Sequence, residues 1–201
     1  MINSFGSLTA AVADWLARSD LTAVIPTFVQ LAEIRIFDDP VDPLRVRQMQ
    51  TVVTGTPVGS VIALPDDYLQ IQTLSVDYGG RQQTLDPLAA EGPATTATVP
   101  LGYTVIGNEI HIAGENAGDY SLTYFARPPA LETAGTNWLI LRAPNVYLFA
   151  TLLEAAPYLK DQPSVPAWGA ELQRALAGLR ALDDRARFGP GLRQRPVMYT
   201  P

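Results

Sequence analysis

The sequence predicts an α+β fold: a helical bundle built from N- and C-terminal helices, an inserted antiparallel β-rich domain, and an extended C-terminal tail. Three observations predict it. Apolar residues recur at helical spacing at both ends of the chain, the period shortens to that of strands across residues 46–127, and residues 188–201 carry no period at all. Terminal helices that bury their apolar faces on one another, with the strand-rich middle projecting between them, give the economical layering for this order. The expected divisions are 1–44 with 128–187 for the bundle, 45–127 for the insertion and 188–201 for the tail.

The first helix is expected over 7–18, with Ser7 as N-cap and Leu8, Val12, Trp15 and Leu16 on its core face. The second opens at Pro26, which suits a first helical turn, carries Phe28, Leu31, Ala32 and Ile36, and stops at Asp38, Asp39 and Pro40. The middle holds VRQMQTVVT, SVIAL, YLQIQTLSV, GYTVI, EIHIA and YSLTYFA, short β-branched and aromatic runs with turns at 55–59, 77–81, 107–108 and 114–118. Five to seven strands are expected, with a short helix capped by Asp86 and Pro87 and a surface loop over EGPATTATVP between the third and fourth.

The helical period returns at Pro144, holds to Tyr158, and resumes from Ser164 to Arg187 after a tight connection at 160–163. In the last helix Trp168, Leu172, Ala175, Leu179, Leu182 and Ala186 follow 4-3-4-3-4 spacing and form one narrow seam. Arg180 with Asp184, and Asp183 with Arg187, are spaced to pair on its outer side.

At 201 residues and 47% apolar the chain is long enough to bury one sizeable core. Its net charge of -6 argues against a dedicated nucleic-acid binder, since affinity for phosphate comes from Lys and Arg. The absence of cysteine removes disulfides, thiolate chemistry and Cys-based zinc sites. The start MINSFGSLTAAVADWL has neither the basic lead nor the apolar run of a signal peptide, and no stretch approaches the ~20 apolar residues of a membrane span. A cytoplasm, or a particle assembled in one, is the expected location, with no membrane partner.

Catalytic patterns are sparse. The single histidine, His111, alternates with Ile110 and Ile112 on a strand, which places it on the opposite, surface face. No nucleophile elbow, phosphate loop, dinucleotide fingerprint or metal-ligand cluster is present. The carboxylate pairs Asp38-Asp39 and Asp66-Asp67 suit general acid and base work or a weak cation site, but turn formation and helix termination account for them better. No catalytic residue, cofactor or metal is expected.

Helix 144–158 is apolar almost all round, with Val146, Ala150 and Leu153 on one face and Tyr147, Leu148, Leu152 and Ala155 on the remainder. Such a helix is buried on more than one side. It is either the central helix of a monomer's bundle or a helix that packs on its own domain and on a neighbouring subunit, and Tyr147, Leu148, Leu152 and Ala155 are then the subunit-interface candidates. Glu154 is the charge in it that would be costly to bury, so a partner is expected from Arg142, Arg174 or Arg180.

The segments ADWLARSDLTAVIPTFVQLAEIRI, ALPDDYLQIQTL, GYTVIGNEIHIA, SLTYFARPPAL and TNWLILRAPNVYLFATLLEAAPYLKD, in that order, resemble the head–tail adaptors of tailed bacteriophages, podovirus-type or tail tubular A-like. The resemblance covers almost the whole chain. It implies a structural protein rather than an enzyme, located in the virion neck after assembly in the host cytoplasm. Copies would form a ring, usually of twelve, beneath the portal protein, and carry the tail tube, nozzle or stopper protein.

The resemblance further implies a chain that is monomeric when free, a DNA channel without specific binding, and a C-terminal extension that reaches the portal. That extension, FGPGLRQRPVMYTP, cannot pack a core of its own. Arg193 and Arg195 offer charges for an acidic groove, and Phe188, Leu192, Val197, Met198 and Tyr199 offer apolar anchors. Two alternatives remain: a connector of a siphovirus-type or gene-transfer particle followed by a stopper, and a virion-associated glycan hydrolase using Asp66, Asp67 or Glu154, since glycosidases need two carboxylates across one cleft.

Overall fold

A computed structural model describes residues 1–89, 98–115 and 117–188, without the side chain of Phe188. The chain forms two compact units, one from Met1–Arg47 with Pro129–Pro201 and one from Gln48–Pro128. The fold is α+β.

The helical unit begins with α1 (Phe5–Leu16) and α2 (Ile25–Phe37). The N-cap of α1 is Ser4 rather than Ser7. Ser7 sits one turn inside and completes a capping box: its backbone N–H donates to Ser4 Oγ at 3.3 Å, and its hydroxyl accepts from the Ser4 N–H at 2.9 Å. Leu8 and Val12 are fully buried, whereas Trp15 is 55% exposed and meets Phe149 edge-on, with ring centroids 5.6 Å apart. Pro26 lies in the first turn of α2. Asp39 Oδ1 accepts from the N–H groups of Val41 and Asp42, each at 2.8 Å, so this carboxylate builds a turn after the helix.

Two short helices, α3 (Leu131–Ala134) and α4 (Trp138–Arg142), precede α5 (Pro144–Leu159). Sequence periodicity missed both because each is barely one turn, too short to repeat an apolar position. Asn137 caps α4 by accepting from the Ile140 N–H at 3.1 Å. The 24-residue α6 (Val165–Phe188) presents a different seam from the expected one. Leu172, Leu176, Leu179 and Asp183 are buried, while Leu182 is 49% exposed, Ala186 is exposed, and Trp168 and Ala175 are half-buried. The spacing is the same, but the helix is rotated so that Leu176, the larger side chain, goes inward in place of Ala175.

Asp183 turns inward because it has partners there: the Arg47 N–H at 3.0 Å and Arg187 Nε at 2.9 Å. Arg187 is thus its expected i,i+4 mate, but Arg180 reaches Asp42 at 2.7 Å instead of Asp184.

The other unit is a seven-stranded sheet of order β1-β7-β3-β4-β5-β6-β2. Its strands are β1 (Gln50–Gly55), β2 (Val61–Ala63), β3 (Tyr68–Tyr78), β4 (Arg81–Pro87), β5 (Gly102–Ile106), β6 (Glu109–Ala113) and β7 (Tyr120–Ala126). Residues Arg47–Met49 form a 3-10 turn, so β1 starts later than VRQMQTVVT suggests. The helix expected at Asp86 and Pro87 is absent; these two residues end β4 and pair in parallel with Gly102 and Tyr103 of β5. The sheet is therefore mixed rather than wholly antiparallel.

The parallel contact needs a glycine, since a Cβ on Gly102 would lie 2.6 Å from the Asp86 carbonyl oxygen. Gly79 and Gly80, both at positive φ, close the β3–β4 hairpin, which suits a two-residue turn matched to strand twist. Ile62 of the β2 edge shares one apolar cluster with Leu74, Val76, Leu85, Ile110, Leu122 and Tyr124, so the sheet curls around its core. Of the expected EGPATTATVP loop, residues 91–97 lie outside the described ones.

Candidate interaction surfaces

The all-apolar helix α5 supplies the centre of the helical unit. Tyr147, Leu148, Leu152 and Ala155 are 0, 6, 0 and 0% exposed in the single chain, so the unit itself covers their apolar surface, as a central bundle helix requires. Tyr147 carries a hydroxyl into that core, where it needs partners. It donates to Glu33 Oε1 of α2 at 3.1 Å and accepts from Asn137 Nδ2 at 2.7 Å. Glu33 also accepts from the Leu131 N–H at 2.9 Å, and Asn137 donates to the Pro129 carbonyl at 3.1 Å. One phenol thereby ties α2, α5 and the segment carrying α3 and α4 together.

Glu154 is partnered, but not by any of the three expected arginines. Arg35 of α2 donates to it, from a guanidinium that stays 45% exposed while the carboxylate is 16% exposed. The sequence offered Arg142, Arg174 and Arg180 as candidates, yet α2 packs along α5 and brings Arg35 there from 119 residues away. Arg174 instead pairs with Glu171 at 2.8 Å within α6. Arg142 has no hydrogen-bonded or ionic partner among the described residues.

In the sheet unit, Tyr124 donates to Asp67 Oδ1 at 2.8 Å. Burial, then the bond to the carboxylate and its charge, push the Tyr124 phenol up to about 12. Asp67 therefore serves a structural bond, and the adjacent Asp66 is exposed. His111 is half-buried between the buried Ile110 and Ile112 and lies 3.2 Å from Glu109. At the surface of the helical unit, the Arg18 fork holds the Asp20 carboxyl down to about 2.

Two surface features stand out that single residues do not announce. The first is a groove of about 460 Å³ along α6 and the start of α5, lined by Arg142, Asn145, Arg174, Leu179, Leu182 and Arg185 among others. The second is the distribution of charge. Gln48–Pro128 carries eight acidic and two basic residues, hence the whole net charge of -6, while the remainder carries twelve of each sign. A count of charge by segment would have found this asymmetry from sequence once the unit boundaries were known. Of the tail candidates, Phe188 ends α6, and Leu192, Arg193, Arg195, Val197, Met198 and Tyr199 lie outside the described residues. Among the described residues no helix is long and apolar enough to cross a membrane.

Among the described residues the carboxylates of the sequence candidates Asp67 and Glu154 brace the fold, and the surface offers a groove and a one-sided charge. A family model described as SU10 adaptor protein matches residues 3–195, and the chain belongs to that family of phage adaptor proteins. The family is structural rather than enzymatic. Comparison with curated proteins finds no match.

Proposed function

We propose that the protein is the head–tail adaptor of a tailed-phage particle. Copies form a ring of about twelve beneath the portal, dock to it through residues 188–201, and give the tail its platform while DNA passes without specific binding. The observation that carries this reading is the family match over 3–195, nearly the whole chain. The charge distribution supports it, because an acidic surface repels phosphate rather than gripping it. The resemblance of the quoted segments favours a podovirus-type neck with a nozzle below the adaptor. In the second reading, a siphovirus-type or gene-transfer connector, a stopper follows instead.

Residues 188–201 combine two arginines with Leu192, Val197, Met198 and Tyr199, a composition suited to ordering on a partner surface. The test is the mass of the purified chain alone and with purified portal. A monomer that becomes a ring only with portal is expected, and a chain ending at residue 187 should keep its circular dichroism while failing to dock. Undiminished docking of the shortened chain would remove the tail from the mechanism. Complete rings of the free chain would overturn portal-triggered assembly.

A further inference from the structure

The groove on α6 has a defined chemistry. Arg142, Arg174 and Arg185 line it with Leu182, and Glu171 is engaged with Arg174. Among the described residues Arg142 and Arg185 have no partner, and Leu182 is 49% exposed. This lining suits an occupant that is acidic with an apolar tip. The chain's own tail does not qualify, because residues 189–201 contain Arg193 and Arg195 and no acidic side chain.

The sheet unit carries a surface of the required kind. At the tip of the β5–β6 hairpin, Val105 and Ile106 are 39 and 55% exposed, and Glu109 follows Gly107 and Asn108. Exposed Asp66 stands beside this tip, lining a small recess with Gly107 and Asn108. A second acidic and apolar place, Asp86 with Leu88 and Leu101, borders residues 90–97, which lie outside the described ones.

We infer that the hairpin tip of one copy, with Ile106, Glu109 and Asp66, seats in the Arg142–Arg174–Arg185 groove of the next. Such a contact joins two different surfaces of the same chain, so it propagates from copy to copy, and it gives a ring where the rotation per copy closes. Opposite charge sets the register, and the apolar tip meeting Leu182 supplies the desolvated centre. The inference rests on the ring reading above and specifies its subunit contact.

The chain has no cysteine, which makes a clean test possible. Full-length Ile106→Cys/Leu182→Cys protein, assembled with portal and treated with a short bismaleimide, should give a ladder of covalent oligomers on a denaturing gel, while each single variant stays monomeric. Independently, Arg142→Glu with Arg185→Glu should lower ring yield roughly tenfold or more, as should Glu109→Arg with Asp66→Arg. All four changes in one chain should restore it.

Circular dichroism checks that each variant is folded. Rings that form without a ladder, or that tolerate both reversals, overturn this contact and leave the ring reading standing. Loss of portal binding with rings intact would give the groove to the portal, which also overturns it. A wild-type chain that forms no ring with portal removes both.

Discussion

The helical unit carries equal numbers of acidic and basic residues and pairs several of them: Arg35 with Glu154, Arg180 with Asp42, Arg187 with Asp183 and Arg18 with Asp20. In the sheet unit the bonded carboxylates include Asp67 with Tyr124, Asp119 with Thr56, Asp77 with the Gly80 N–H and Glu109 beside His111. The difference follows first from composition: the sheet unit has only Arg81 and Arg127 to set against eight acids, whereas in the helical unit an arginine reaches an acid on the next helix, as Arg35 reaches Glu154, or along its own helix, as Arg187 reaches Asp183. The surplus acids are then left for solvent or for a partner.

The largest effects should be common to both units. Leu152→Ala in α5 and Leu122→Ala in β7 each empty a fully buried site, and each should cost about 2–5 kcal/mol in denaturant unfolding. A loss below about 1 kcal/mol at either position would mean that its core is not packed as described.

Polar burial separates the units. Tyr147→Phe removes the hydroxyl that Glu33 and Asn137 share and should cost about 1–3 kcal/mol, whereas Tyr124→Phe should cost only about 1 kcal/mol, because water can reach Asp67. Equal losses at the two tyrosines would break the comparison.

The smallest effect is a titration. Because the folded pKa of Tyr124 is raised from 10.0 to about 12, its contribution to stability is fully present below pH 10.0 and is lost as the pH rises through about 12. Asp67→Asn should lower the phenol's midpoint in a spectrophotometric titration but leave it above 10.0, since burial is the larger cause. An unchanged midpoint would remove Asp67 from the account.

Much of the fold was legible. Helices α1, α2, α5 and α6 announce themselves because each repeats apolar residues over three turns or more, and the hairpin turns are written in their glycines. Strand β4 was hidden, since RQQTLDP is polar and ends in a dipeptide that elsewhere starts helices; its place is set by pairing with β3 and β5. Glu154 illustrates the same limit among the side chains. Its need for a cation follows from its apolar helix, but the choice of Arg35 depends on which helix lies alongside.

The sequence by itself determined the α+β class, the positions of the long helices, the acidity of the chain and the resemblance to phage adaptors, because these depend on local periodicity, composition and phrase order. Only the tertiary structure decided that Tyr147 is a buried hub, that α6 turns Leu176 and Asp183 inward, and that Arg142, Arg174 and Arg185 line one groove. A helix's rotation and a charge's partner are set by contacts between residues far apart in the chain. Those contacts compete on fit and desolvation, and neither can be read along a single line of residues.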